Sequence, residues 1–281
     1  MRIGIRAHDV KADNFEGMVR EIAAEGFTCC QLAVPKAVHE IPTGIVTYTP
    51  GLASWMKGIF AQNHVDVAVL GCYYNLAVPD EKEYQKTLEV YRRHIAFASW
   101  LGAGMVGTET GDYNAEYVPD EFSRSDEALA IFIDRLRPVV ETAEKFGVVV
   151  AIEPVCRHIV WNAQRARKVL DTIHSPNLQL IFDPVNLLDS SNVREYQKVI
   201  GSFLDLCGMD IIAIHAKDFR MENGILKECA CGEGVMDYSV LLPFLAKYKP
   251  YIQVLLENTA PGTAVPAREY LEEQYKKLCG R

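Results

Sequence analysis

Short apolar runs of four to eight residues alternate along this chain with longer stretches whose apolar positions fall three and four apart, the marks of buried strands and amphipathic helices. Strands are expected at 2–8, 28–34, 65–72, 105–108, 148–155, 178–182, 211–215 and 252–256. Helices are expected at 14–25, from Pro50 to about 63, and at 80–101, 125–146, 162–173, 193–207, 237–248 and 266–278, with Gly26 and Gly147 placed to stop two of them. The alternation is strict and the count is eight of each. It allows an open doubly wound sheet or a closed barrel, and eight repeats favour closure. No Gly-x-Gly-x-x-Gly follows the first strand, which argues against a dinucleotide-binding sheet. The expected architecture is therefore α/β, a (β/α)8 TIM barrel, with residues 1–281 as a single domain.

The run Val-Val-Val-Ala-Ile-Glu-Pro-Val at 148–155 is apolar enough to be buried on both faces and ends on the carboxylate of Glu153. The same grammar recurs three times. Asp183 follows the run at 178–182, His215 ends that at 211–215, and Glu257 follows that at 252–256. In a barrel of this kind function gathers at the carboxyl ends of the strands, so the four residues are candidate ligands around one point. Three hard oxygen donors and one imidazole suit Mn²⁺, Mg²⁺ or Co²⁺, while Zn²⁺ more often takes nitrogen or sulfur. A lone carboxylate at a strand end also serves as a helix cap or an ion-pair partner. Four at one register on four strands point to a shared task. His8 and Glu109 end the first and fourth strands and face the same mouth, as candidate substrate contacts.

Composition narrows the partners. A formal net charge of -8 disfavours a nucleic-acid backbone, whose phosphates need a basic footprint. No apolar run approaches a membrane span and Met1 leads straight into a strand, so the expectation is a soluble cytoplasmic protein without nucleic-acid or membrane partners. Eight scattered cysteines read as reduced thiols, and Cys229 and Cys231 lack the two-residue spacer of a zinc knuckle.

Five motifs occur in order: Ala151-Ile152-Glu153-Pro154; Phe182-Asp183-Pro184-Val185-Asn186; Ile214-His215-Ala216-Lys217-Asp218-Phe219; Gly232-Glu233-Gly234 with Asp237; and Leu256-Glu257-Asn258. With them the chain resembles, over nearly its whole length, the xylose isomerase-like barrel superfamily, in particular sugar epimerases and isomerases of the tagatose epimerase type and the related inosose dehydratases. The resemblance implies a divalent metal, Mn²⁺ foremost, held by Glu153, Asp183, His215 and Glu257. It implies a sugar or polyol completing the coordination, and an enediolate stabilised by the metal. Glu153 and Glu257 would be the catalytic pair, one removing a proton and the other returning it from the opposite face.

The family often carries a His three positions after the Asp ligand; Asn186 stands there, able to bond a hydroxyl but poorly suited to ligate metal. His158, Lys217 and Arg220 lie just beyond ligand-bearing strands and are candidate grips on substrate hydroxyls, with a surface or ion-pair role as the alternative. Two glycines at 232 and 234 suit a turn better than a phosphate cradle, with Glu233 between them, so an unphosphorylated sugar, keto-inositol or similar polyol is expected. Trp55, Tyr73, Tyr74, Tyr113 and Trp161 are candidates for stacking on a sugar or for packing. The apurinic endonucleases of the same superfamily need further histidines, absent at Asn186 and before Gly232. A lyase expelling a β-hydroxyl from the same enediolate is the nearest alternative, followed by a barrel that only binds its sugar. Helices of such barrels commonly pair, so a homodimer or homotetramer is expected.

Overall fold

A computed structural model describes residues 1–280. Eight parallel strands close into a barrel: β1 (Arg2–Arg6), β2 (Cys29–Leu32), β3 (Asp66–Gly71), β4 (Met105–Glu109), β5 (Val149–Glu153), β6 (Leu178–Phe182), β7 (Ile211–Ala216) and, counted after a hairpin, β10 (Gln253–Leu256). The ring runs in chain order and is sealed by β10, which pairs with β7 on one side and with β1 on the other, Ile3 opposite Val254. The helices are α1 (Phe15–Ala24), the one-turn α2 (Val34–Ala37), α3 (Pro50–Gln62), α4 (Glu81–Leu101), α5 (Asp126–Phe146), α6 (Ala163–Ile173), α7 (Tyr196–Cys207), α8 (Leu241–Tyr248) and α9 (Ala264–Cys279).

Local chemistry sets the helix ends. Asn14, Thr49, Asp80, Ser125 and Asn162 each accept a hydrogen bond from a backbone N–H three residues on, which starts α1, α3, α4, α5 and α6. Gly102 and Gly147 end α4 and α5 at φ of 87° and 64°, a conformation that other residues adopt only at a cost.

Several elements differ from the sequence expectation: the first two strands end at Arg6 and Leu32, short of 8 and 34, and α2 was not expected. The helix expected at 237–248 begins only at Leu241, because the Asp237 carboxylate accepts from the backbone and hydroxyl of Ser239 and folds the chain into a turn instead. An antiparallel hairpin, β8 (Asp218–Glu222) and β9 (Ile225–Cys229), stands between β7 and α8 and was not expected at all. Its turn is Asn223-Gly224, both at positive φ (52° and 78°), a type I′ connection that this dipeptide favours.

Side-chain alternation then decides what the barrel can do. Cys29, Ala68, Val69, Met105, Ala151, Ile181, Ala213 and Leu255 form a separate buried cluster to which every barrel strand but β1 contributes, and all of them but Ala68 share the inward parity that fills the interior. β1 contributes Gly4, where an added Cβ would meet Cys29 and Leu255. Two residues further along each strand, on the same face, come Arg6, Gln31, Gly71, Gly107, Glu153, Asp183, His215 and Glu257. The second inward layer is therefore mostly polar. Gly107 keeps the first layer close: a Cβ there would lie 2.6 Å from Val69 and 2.7 Å from Ile181.

Candidate metal and substrate site

The polar layer opens into a cavity of about 410 Å³ at the carboxyl ends of the strands. At its floor one ligand atom each from Glu153, Asp183 and His215 lies within 4.8 Å of the others, and all three residues are buried. Glu257 joins from β10, with its Oε1 3.4 Å from His215 Nδ1, while Glu153 Oε2 lies 3.1 Å from the same nitrogen. Four strand-end residues expected to converge do so.

Each is oriented by a second group. Asp183 Oδ1 accepts from the backbone N–H groups of Val185 and Asn186, at 2.8 and 3.0 Å, which turns Oδ2 toward the Lys217 ammonium at 3.2 Å. The imidazole Nε2–H of His215 donates to Gln31 Oε1 at 2.6 Å, so Nδ1 faces the carboxylates of Glu153 and Glu257. Gln31 is fixed in turn by donating its amide to the Tyr73 hydroxyl. Asn186 donates to Glu153 Oε1 at 2.6 Å and accepts from the Lys217 ammonium at 2.7 Å.

Lys217 is 3% exposed and stands among carboxylates: 3.2 Å from Asp183, 3.2 Å from Glu228 and 3.5 Å from Glu257. Burial works against its charge, yet Asp183, Glu257 and Glu228 raise its pKa above the ordinary lysine value. Glu257 shows the reverse balance, since burial would raise it but His215, Lys217 and Arg6 hold it well below the carboxylate range. Burial outweighs the pull of Lys217 on Asp183 and pushes that group up. His215, against the penalty of burial, is raised by Glu153 and Glu257. Three carboxylates and one imidazole, with the ligand atoms of Glu153, Asp183 and His215 within 4.8 Å of one another, make a donor set that fits a divalent cation.

The remaining candidates separate. His8 lines the cavity, with burial lowering its pKa, and Glu109 and Asn186 line it too. His158 does not reach it: 1% exposed, it sits behind Glu109 with both ring nitrogens 2.7 Å from carboxylate oxygens. Arg220 corrects the sequence reading. It lies on the outer hairpin, where its guanidinium donates to the Glu233 carbonyl and pairs with that carboxylate, outside the cavity lining. Of the aromatic candidates Tyr73 lines the cavity, whereas Trp55 packs on Phe15, Tyr74 lies beside His94, Tyr113 packs on Phe122, and Trp161 lies under Arg124. Cys231 is spent on the Tyr238 hydroxyl at 3.1 Å.

Sequence reasoning passed over Arg6, Gln31, Tyr117 and Glu228, all of them in the lining. A signal existed for the first two. Arg6 and Gln31 share the parity of Glu153 in their strands, and a polar side chain at an inward position must find a partner.

Comparison with known proteins agrees with this architecture. A family model described as xylose isomerase-like TIM barrel matches residues 19–278. Among solved structures, a D-tagatose 3-epimerase-like protein superposes with a TM-score of 0.77 at 19% identity, covering 99% of this chain and 98% of that one. An IolI protein crystallised with a zinc atom superposes with a TM-score of 0.74 at 18% identity over the full length of both. A curated protein of Mycoplasma pneumoniae, the probable L-ribulose-5-phosphate 3-epimerase UlaE, is 22% identical over 184 residues, 66% of this chain. The chain spans 56% of the length of that relative.

Proposed function

We propose that this chain, which belongs to the xylose isomerase-like TIM-barrel family, is a divalent-metal-dependent isomerase or epimerase acting on a sugar or polyol by proton transfer through an enediolate. One observation carries the proposal: a ligand atom each of Glu153, Asp183 and His215, all three buried, lies within 4.8 Å of the others, with Glu257 Oε1 3.4 Å from His215 Nδ1. A cation held by those four residues, Mn²⁺ by the hardness of the donors, would polarise the substrate carbonyl and stabilise the negative charge that develops on its oxygen.

The protein groups do the rest. Glu153 ends β5 and Glu257 follows β10, with β6 and β7 between them, and so they approach a planar intermediate from different sides. One carboxylate removes the proton from the carbon next to the carbonyl, and the other returns a proton from the opposite face, which inverts that carbon and conserves atoms and electrons. Lys217 and Asn186 bind hydroxyl or carbonyl oxygens and keep them from turning away. The names of the tagatose epimerase-like and ribulose-5-phosphate epimerase relatives support this reaction class.

The test is solvent deuterium incorporation, followed by NMR, into ketoses and keto-inositols with Mn²⁺ added or chelated. Metal-dependent exchange is expected next to the carbonyl, lowered about 10²–10⁴-fold in Glu153→Gln and Glu257→Gln. Exchange that survives either substitution removes that residue from the pair. Loss of a hydroxyl instead of reprotonation would make the enzyme a dehydratase.

A further inference from the structure

A second set of charged side chains reaches the cavity from the β4 side, apart from the metal-ligand cluster. Asp112 Oδ2 lies 2.7 Å from His158 Nδ1, and His158 Nε2 lies 2.7 Å from Glu109 Oε2. Asp112 and His158 are 0% and 1% exposed, whereas the Glu109 side chain, at 22%, opens into the cavity. The chain is built rather than incidental. Gly111, at φ 70°, turns the backbone after β4, and Asn75 donates to the Asp112 carbonyl at 2.7 Å to hold the turn. Backbone bonds from Ile159 to the Gly111 carbonyl and from Val160 to the Thr110 hydroxyl tie this loop to the one that carries His158.

An imidazole with a carboxylate oxygen 2.7 Å from each nitrogen satisfies both only by donating from both. Despite burial, Asp112 and Glu109 raise the pKa of His158, which agrees with that state. Glu109 Oε2 then receives the His158 N–H and, at 3.3 Å, the Tyr117 hydroxyl, whose ring packs edge-on against the imidazole. The other carboxylate oxygen is left for a ligand. An oxygen so placed accepts an O–H and, although Arg157 lines the same cavity and favours the charged form of Glu109, presents a negative charge that repels an anion. Burying Asp112 and His158 costs desolvation that apolar residues would have avoided, which speaks against simple packing as their task.

We infer that Glu109 is a specificity-determining residue that accepts a hydrogen bond from a substrate hydroxyl, that Asp112 and His158 are positioning residues holding it, and that the substrate portion on the β4 side is a free polyol end rather than a phosphate or carboxylate. This rests on the sugar or polyol reading of the cavity.

The test is equilibrium binding by calorimetry of D-fructose, D-psicose, D-tagatose, their 1-deoxy, 6-deoxy and 6-phosphate forms, and myo-inositol, to the full chain with and without Mn²⁺. It needs no turnover. We expect the free ketoses to bind more tightly than their 6-phosphates, and Glu109→Gln, Asp112→Asn and His158→Gln each to weaken the preferred ketose about tenfold, the value of a charge-assisted hydrogen bond. Asp112→Asn combined with Glu109→Gln is expected to bind no worse than Glu109→Gln alone, a coupling that two separate structural defects would not show. One deoxy form should bind wild type and Glu109→Gln alike and so mark the hydroxyl that is held. Tyr117→Phe, which removes one bond at the cavity wall, covers the case in which a buried variant does not fold.

Unchanged ketose binding in folded Asp112→Asn and His158→Gln, tighter binding of the 6-phosphates, or no binding of any free ketose or of myo-inositol overturns the inference. Binding with this pattern but without deuterium exchange would instead overturn the proposed reaction and leave the inference standing.

Discussion

Gln31→Leu separates orientation of the metal ligands from mere stability. The side chain is 1% exposed and stands between the His215 imidazole and the Tyr73 hydroxyl, bonding both. Leucine keeps the volume and removes both bonds. A buried donor left unpaired costs about 1–3 kcal/mol, and about 1 kcal/mol corresponds to roughly 2–4 °C in Tm for a chain approaching this size. Stability should therefore fall by several degrees in metal-free protein. Metal affinity should fall further than stability explains, because an imidazole without its outer partner turns and changes tautomer; such losses run at about 10–100-fold, or about 1.4–2.8 kcal/mol. Titration calorimetry with Mn²⁺ on protein shown to be folded at the working temperature reads the affinity, and thermal unfolding without metal reads the stability. Gln31→Glu keeps an acceptor toward His215 and should recover most of the affinity. A Gln31→Leu protein that binds Mn²⁺ within about twofold of wild type would refute the argument that this bond sets the ligand.

Asp218, 1% exposed, accepts from the backbone of Phe219, Met236 and Gly232, so Asp218→Ala should destabilise the fold by about 3 kcal/mol in denaturant unfolding; a loss under about 1 kcal/mol would mean those amides find other partners. Gly107→Ala forces a methyl against Val69 and Ile181 in the barrel interior and should cost about 1–3 kcal/mol, seen as a lower Tm with the cavity intact. A proton on His215 Nδ1 excludes a cation, and Glu153 and Glu257, overcoming burial, raise the affinity of His215 for that proton. Metal binding should thus weaken as pH falls and strengthen as it rises, by up to about tenfold per unit for each proton displaced. Calorimetry in two buffers of different ionisation enthalpy checks this, and a buffer-independent heat near neutral pH counts against proton release.

The barrel was legible because its strands are buried on both faces and its helices on one, so two unlike periodicities alternate without interruption. Glu153, Asp183 and Glu257 were legible for a related reason: each is the first charge after an apolar run. Gln31 was not, since Cys-Cys-Gln-Leu at 29–32 offers no strand-end position and reads as a polar residue within an apolar run. Only the parity of inward positions marks it. Asp112 is three residues past its strand, beyond the reach of strand grammar, and the turn at Gly111 brings it beneath His158. Arg220 illustrates the opposite failure. Its spacing from His215 places it near the mouth in sequence, but the Asn223-Gly224 turn makes 218–229 a ribbon that carries its guanidinium outward to Glu233. That dipeptide was a signal available in the chain.

Glu257 comes immediately after β10, the strand that seals the ring between β7 and β1. At about 5–20 residues per second, translation spends roughly ten seconds to a minute on the preceding 256 residues. Once β7 is made and until β10 follows, β1 and β7 are open edges, and Glu153, Asp183 and His215 have no fourth companion. A growing polypeptide can thus display three of the four proposed ligands on an unsealed sheet, where stray pairing at those edges is the hazard. Insertion of one short strand removes both edges and completes the ligand set in a single event. The activity of a nascent chain, and its capacity to retain a cation, should then switch on with the emergence of residues 253–257 rather than grow with length.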